Sequence, residues 1–336
     1  MLLKRLRRFL AGSHDRSKAT VAGDFRLTFF GGKGGVGKTT CAAAWAVLQA
    51  ERGRSVLLIS TDPAHSLGDL LERAIGDKPV PIRECLSAME LSPDAALRTY
   101  LREVKANLRE LAAPELRAAA EAQAELAGRA PGAVDAALFE AMVRVMLELG
   151  PRHDELVFDT APTGQTLQLL ALPEVMGAWS EGMLARRREA RAAWLERAPE
   201  ADPPEDRAAA ILEARRRRYE QVRSLLKDHG RCSFIPVLNP DALSFEETRR
   251  MKAALETAGI AVPALIVNRV VPESAQGEFA AALRATQRRH LEAIDAHFAD
   301  RPRVRIVHRS SEIRGLKGLQ PLAHDLRDSD GNPSTQ

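Results

Sequence analysis

Apolar positions along the chain fall into two kinds of block. Short, nearly continuous apolar runs alternate with longer stretches in which apolar residues recur every three or four positions. Leu27–Phe30, Ser55–Ser60, Leu156–Asp159, Ser233–Leu238, Val262–Asn268 and Arg303–His308 are of the first kind and read as strands. Runs without strict alternation suit a parallel sheet covered on both faces. Met89–Ser92 reads as a short edge strand. Helices are expected from Cys41 to about Gly53, where glycine gives the stop signal, and over about 243–258 and 275–299. The alternation predicts an α/β fold, a doubly wound and mainly parallel sheet.

Two long helical blocks interrupt that alternation, at about 93–150 and 173–230. Val134, Leu138, Ala141, Met142, Val145 and Leu149 form one stripe in the first block, suited equally to a core or to a groove. Ala208, Ile211, Leu212, Tyr219, Val222 and Leu226 keep helical spacing in the second. The prolines and acids of Ala198–Glu205 mark a turn or linker inside it. The blocks are expected to pack together as an inserted helical subdomain. Residues 25–322 then form one domain, 1–24 a mobile basic extension and 323–336 a polar, disordered tail.

Composition narrows the class. Hydrophobic residues at 45% and charged residues at 28% describe an ordinary globular chain, and no apolar run reaches the ~18 residues of a membrane span. No secretory signal is seen. The net charge of +4 is modest and the basic residues cluster locally. Met1–Leu10 is a basic amphipathic stretch that could touch an anionic membrane surface, although such an end is more commonly a mobile extension. With aromatics at 4%, the clusters Arg186–Arg188 and Arg215–Arg218 read as solvated helix faces rather than a nucleic-acid groove. Cys41, Cys85 and Cys232 are dispersed and include no C-x-x-C pair, which argues against structural zinc and fits a reducing cytoplasm.

The chemistry concentrates where the first strand ends. Gly31-Gly-Lys-Gly-Gly-Val-Gly-Lys-Thr-Thr40 fits G-x-x-x-x-G-K-[ST] through Gly32, Gly37, Lys38 and Thr39, between a strand and a helix. Glycines such as Gly34 and Gly35 let consecutive backbone N–H groups around Val36 face a phosphate, and the helix adds its positive end. Lys38 would neutralise the β- and γ-phosphates, and the Thr39 hydroxyl would ligate Mg²⁺. Asp159 closes a buried strand, where a carboxylate can act near that Mg²⁺. Asp62 lies just past the second strand, where it could orient or deprotonate an attacking water. These parts predict a nucleotide site suited to phosphoryl transfer to water.

Lys33 is a second lysine in the loop, costly beside Lys38 unless an anion lies near both. Lys33–Thr40 resembles the loop of the signature-lysine ATPases. There the extra lysine crosses a dimer interface to the partner's nucleotide. Three stretches together resemble the arsenical-pump ATPase family, which also contains the ATPase for guided entry of tail-anchored proteins: Gly31–Thr40, Ser60-Thr-Asp-Pro-Ala-His-Ser66 and Asp159-Thr-Ala-Pro-Thr-Gly-Gln-Thr-Leu167. Leu243–Thr248, Ile266–Arg269 and Glu312–Gly315 agree, so the likeness spans about residues 25–320.

The resemblance implies a homodimeric, Mg²⁺-dependent ATPase. Gly34, Gly35, Val36, Gly37, Lys38, Thr39 and Thr40 would hold phosphates and Mg²⁺, and Lys33 would be the signature lysine. Asp62 in the first switch would be the base or water-positioning group, with Pro63 to Ser66 as its moving part and His65 structural. Asp159 opens the second switch and would act through the Mg²⁺ shell, by way of water. Asn268 matches the asparagine that recognises adenine. Gln165 departs from the family's usual histidine, and no cysteine cluster offers a zinc or As(III) site. Three uses of the cycle remain: energising an arsenite or anion transporter, targeting hydrophobic membrane-protein segments, or positioning on a membrane or DNA surface.

Overall fold

The computed structural model describes residues 25–62, 66–111, 114–161, 163–197 and 206–328. The basic extension, Pro63–His65, the 198–205 linker and the last residues of the tail lie outside them. The chain divides into two compact units. The first comprises 1–92, 148–167 and 226–336, and the second 93–147 and 168–225.

The first unit is built on one eight-stranded sheet in the order β3-β4-β2-β5-β1-β6-β7-β8. Its strands are β1 (Arg26–Gly31), β2 (Val56–Ser60), β3 (Val80–Arg83), β4 (Leu86–Glu90), β5 (Glu155–Asp159), β6 (Cys232–Leu238), β7 (Leu265–Val270) and β8 (Arg303–Val307). All neighbours pair in parallel except β3 and β4. The edge strand expected at Met89–Ser92 is thus corrected: β4 is an interior strand. The edge is β3, where Pro81 interrupts hydrogen bonding as edge strands tolerate. The expected strand at Val262 begins later, at Leu265.

Each apolar run is continuous because both faces are covered. Helix α1 (Lys38–Glu51) packs against β1, β2 and β5, and nearly all its residues are buried. Residues alternate between two cores along β7: Ala264 and Ile266 join the α1 side, and Leu265 and Val267 the other. That second core takes Phe245 from α8 (Ala242–Thr257), and Leu291 and Ile294 from α9 (Glu278–His297). Phe158, Phe29 and Phe234 stand at one register on three adjacent strands and stack at 4.8 and 6.3 Å. The C-terminal helix α10 (Gly315–Asp328) lies on α1, with Leu322, Ala323 and Leu326 buried. Residues 323–328 therefore belong to the fold rather than to a polar tail.

Glu155, at the start of β5, is a buried carboxylate accepting from Thr28 Oγ1 (2.6 Å), Trp45 Nε1 (2.8 Å) and Arg54 (3.4 Å). It ties β1, β5 and α1 together at the end of the sheet opposite the glycine loop. A buried charge is tolerated only when hydrogen-bonded and paired in this way.

The second unit is helical: α3 (Pro93–Leu111), α4 (Arg117–Gly128), α5 (Ala133–Arg144), most of α6 (Thr163–Arg197) and most of α7 (Arg207–Lys227). Helix α3 packs against α4 and α5. Leu138, Met142 and Val145 are buried, so the middle of the stripe is core rather than groove, while Val134 at its start is 37% exposed. In α7 the basic run folds back on an acid: Arg215 and Arg218 both reach buried Glu140, which also accepts from the Tyr219 hydroxyl. Among the described residues, no helix is long and apolar enough to cross a membrane.

Candidate active site

The short helix α2 (Ser66–Leu71) and the N-terminus of α1 face a cleft of about 440 Å³ in the first unit. Gly35, Gly37, Lys38, Thr39, Thr40 and Asp62 line it, with Ser66, Asp69, Arg269, Glu312 and Arg314 among its other walls. Parallel pairing explains the convergence. Asp159 is in register with Phe30 on one side and Ser60 on the other, so three strands end level. Loops leaving their carboxyl ends meet at one place, where ligands of open α/β sheets bind.

The loop's shape is dictated by what surrounds it. At Gly32 (φ +154°) a Cβ would fall 2.1 Å from the Val237 carbonyl oxygen, and at Gly37 (φ +93°) 2.4 Å from Asn268 Nδ2. Those two glycines are needed by their close neighbours, and Gly35 by its left-handed backbone (φ +79°). A Cβ on Gly34 or Gly35 would nonetheless meet nothing within 4 Å. Their bareness leaves room on the cleft side for a group to approach the backbone.

Beneath the loop lies Asp159, fully buried. Ser60 Oγ donates to its Oδ2 (3.2 Å) and accepts from the Asp62 N–H (3.3 Å), so one serine links the two acids. The Asp159 Oδ1 atom is buried with no hydrogen-bond partner. Burial pushes the carboxyl up to about 7, against the opposing pull of Thr39 and Lys38, and Asp62 adds to the rise. The Thr39 and Ser66 hydroxyls lie 3.2 Å apart. Lys38 is buried and its Nζ donates to the Lys33 carbonyl (3.4 Å).

Not every expected residue lines the cleft. Lys33 is half-buried at the bend of the loop and is not among the lining residues. Val36 is buried, and its carbonyl accepts from Asn268 Nδ2 (2.8 Å). Asn268 Oδ1 accepts from the Arg269 N–H (2.9 Å), so this amide braces the loop against β7. Pro63 to His65 lie outside the described residues, as does the Gln165 side chain. Sequence reasoning passed over Ser60 and Arg269 as site residues and read Ser66 only as part of the moving first switch. Ser60 carried a signal, a small polar residue closing an otherwise apolar strand. Ser66 and Arg269 were quoted within motifs but given no geometry. Cys41 and Cys232 are buried, and burial raises the Cys41 thiol to about 12. Cys85 is exposed, at the turn between β3 and β4.

No group of three or more His, Cys, Asp or Glu among the described residues could hold a metal. What the site offers instead is a hydroxyl, a carboxylate with an orphaned oxygen and a bare glycine loop. A hard cation that keeps its waters and shares a phosphate needs little more.

Asp159 also sets a pH dependence in cation-free protein. Its folded pKa lies above the unfolded value near 3.8. Its stabilising contribution is therefore complete below about pH 4 and is lost as pH rises through about 7. Asp159→Asn should abolish that slope, worth on the order of a few kcal/mol. Urea unfolding in chelator at pH 5 and pH 8 measures it, and an unaltered difference in the variant would contradict the assignment.

Comparison with known proteins places this geometry. A family model described as anion-transporting ATPase matches residues 25–328. A protein of Aquifex aeolicus named arsenical pump-driving ATPase 2 is 33% identical over 305 residues, covering 90% of this chain and 99% of its own. An ATPase ASNA1 homolog of Trypanosoma cruzi is 33% identical over 327 residues (89% and 90% covered). ATPase ASNA1 homolog 1 of Paramecium tetraurelia is 30% identical over 307 residues (89% and 91%). A match over nearly the whole chain, centred on an ATP-type loop, shows that the chain belongs to the anion-transporting ATPase family.

Proposed function

We propose that this ATPase is Mg²⁺-dependent, works as a nucleotide-gated homodimer in the cytoplasm and energises transport of an anion through a membrane partner. The observation that carries the reading is the buried, half-satisfied Asp159 carboxylate next to Thr39 under a loop bare of side chains. The Thr39 hydroxyl and Asp159, the latter through a water, would hold Mg²⁺. Bound there, the ion would neutralise charge on the β- and γ-phosphates. Lys38 sits at the loop's closing turn, where its ammonium can leave the Lys33 carbonyl for a phosphate oxygen. Asp62 lines the cleft with its backbone fixed by Ser60, and in this reading it orients the attacking water. Asn268 would place the adenine from a position already braced on the loop. Lys33, away from its own cleft, is suited to reach the partner's.

Capture of As(III) by protein thiolates is not part of the proposal. Three thiolates are not available, because Cys41 and Cys232 are buried and only Cys85 is exposed. A second reading, handling of hydrophobic membrane-protein segments, is favoured by one observation. Val175 and Trp179, one turn apart on α6, are 60% and 51% exposed. The positioning reading rested on the first twenty residues, which lie outside those described.

Asp62→Asn should bind ATP within about threefold of the unsubstituted protein yet lose roughly 100-fold or more in turnover. Single-turnover hydrolysis beside equilibrium binding measures both, and unchanged turnover removes Asp62 from the mechanism. For Lys33→Ala, light scattering with ATP and Mg²⁺ should show loss of nucleotide-dependent dimerisation. A protein that is monomeric in every nucleotide state before substitution would refute the trans-acting lysine. As(III) should leave the hydrolysis rate within about twofold. Stimulation by a tail-anchored segment alone would replace the transport reading with the targeting one.

A further inference from the structure

Arg269 breaks the regular geometry of β7. Its φ is +57°, a left-handed conformation that side chains other than glycine, asparagine and aspartate seldom adopt. Pairing with β8 shows why it can occur here. Val267 is opposite Arg305 and Val270 opposite Val307, so three steps along β7 match two along β8. One residue is therefore extra, a bulge of the kind that re-aims a side chain. The re-aimed side chain is exposed and lines the cleft together with Gly37, Lys38, Thr39 and Thr40.

The bulge is held from both sides. The Arg269 N–H donates to Asn268 Oδ1 (2.9 Å), and its carbonyl accepts from Gln287 Nε2 (3.0 Å). Gln287 Oε1 accepts in turn from the Val271 N–H (2.9 Å), so a single α9 amide spans the distortion. Arg284, one turn earlier, donates to the carbonyls of Pro272 (2.8 Å), Glu273 (3.2 Å) and Ala275 (2.7 Å). The His308 N–H closes onto the Val270 carbonyl (2.7 Å). An unfavourable backbone conformation persists only where its surroundings over-determine it, and such residues cluster at ligand sites. No carboxylate among the described residues pairs with the Arg269 guanidinium. A cation aimed into a cleft beside Lys38 is suited to an anion.

We propose that Arg269 contacts a phosphate of the bound nucleotide, and that Gln287 is the positioning residue that fixes the Arg269 backbone for this contact. The proposal deepens the ATP-site reading and rests on it. Arg269 is then a specificity element for the phosphate-bearing part of the substrate, supplied by β7 next to the glycine loop. The bulge orients it, at the cost of local strain.

Arg269→Gly separates function from strain, because glycine adopts the same φ freely. In this variant the apo melting temperature should be unchanged or higher, while the Kd for ATP rises about tenfold. Arg269→Lys should recover part of the affinity and Arg269→Gln none. Gln287→Ala should weaken ATP binding about threefold with Arg269 present and have no effect in the Arg269→Gly background. An ATP Kd within twofold in Arg269→Gly overturns the contact. Equal recovery by lysine and glutamine overturns its assignment to a phosphate, and equal effects of Gln287→Ala in both backgrounds overturn the positioning role. Failure of the unsubstituted protein to bind ATP would instead overturn the underlying site reading.

Discussion

The site depends on keeping one carboxylate out of water. Asp159 ends the strand between β2 and β1, and neither sheet face nor neighbouring strand admits solvent to it. Ionising it there is unfavourable, which is why its pKa stands near neutrality despite Lys38 and Thr39. A stability-optimised fold would place an apolar residue at this position. Burying this carboxylate is thus a cost to the resting fold that positive charge in the cleft would offset.

The glycine loop is held by the half of the sheet beyond β1, away from the strands that flank Asp159. Gly32 lies against the β6 backbone and Gly37 against Asn268 of β7, two neighbouring strands on one side of β1. Asn268 Nδ2 takes the Val36 carbonyl, and Ser60 holds both acids on the other side. Far from the cleft, Glu155 gathers Thr28, Trp45 and Arg54 and fixes the angle between α1 and the sheet. The cleft therefore has a floor braced by side-chain hydrogen bonds, with Ser66, Asp69 and Leu70 of α2 among its walls.

Much of this was legible before any coordinate. The parallel strands were visible because burial on both faces makes their runs continuous, and the glycine loop because its spacing is a backbone requirement. Strand β3 was not, since Val80-Pro-Ile-Arg83 has neither a long apolar run nor clean alternation. Helix α10 was missed because Pro321 and the polar residues after it mask an amphipathic face whose buried members are Leu319, Leu322, Ala323 and Leu326. The Val134 stripe could have been core or groove, and its neighbours Ala137, Phe139 and Val143, also buried, decide for core. The motif residues Gly35, Gly37, Lys38, Thr39, Thr40 and Asp62 stand together in the cleft, as their spacing led one to expect. Gln287 acts through tertiary hydrogen bonds and carries no local pattern, and the only signal from Ser60 was a small polar residue closing an apolar strand.

The perturbed carboxylate has a consequence for how the resting state meets its ligand. Burial raises the Asp159 carboxyl to about 7, so the resting fold disfavours its ionised form. In the proposed Mg²⁺-dependent reading, a cation held by Asp159 would need the ionised form, so its binding would be coupled to proton release. In that reading the cation's own charge would offset the cost of ionisation. That cost would be subtracted from the binding free energy, so affinity at this site would be lower than its donor set would give if preformed. Ser60 Oγ, which contacts both Asp159 and the Asp62 N–H, is the group through which a change at Asp159 would reach Asp62.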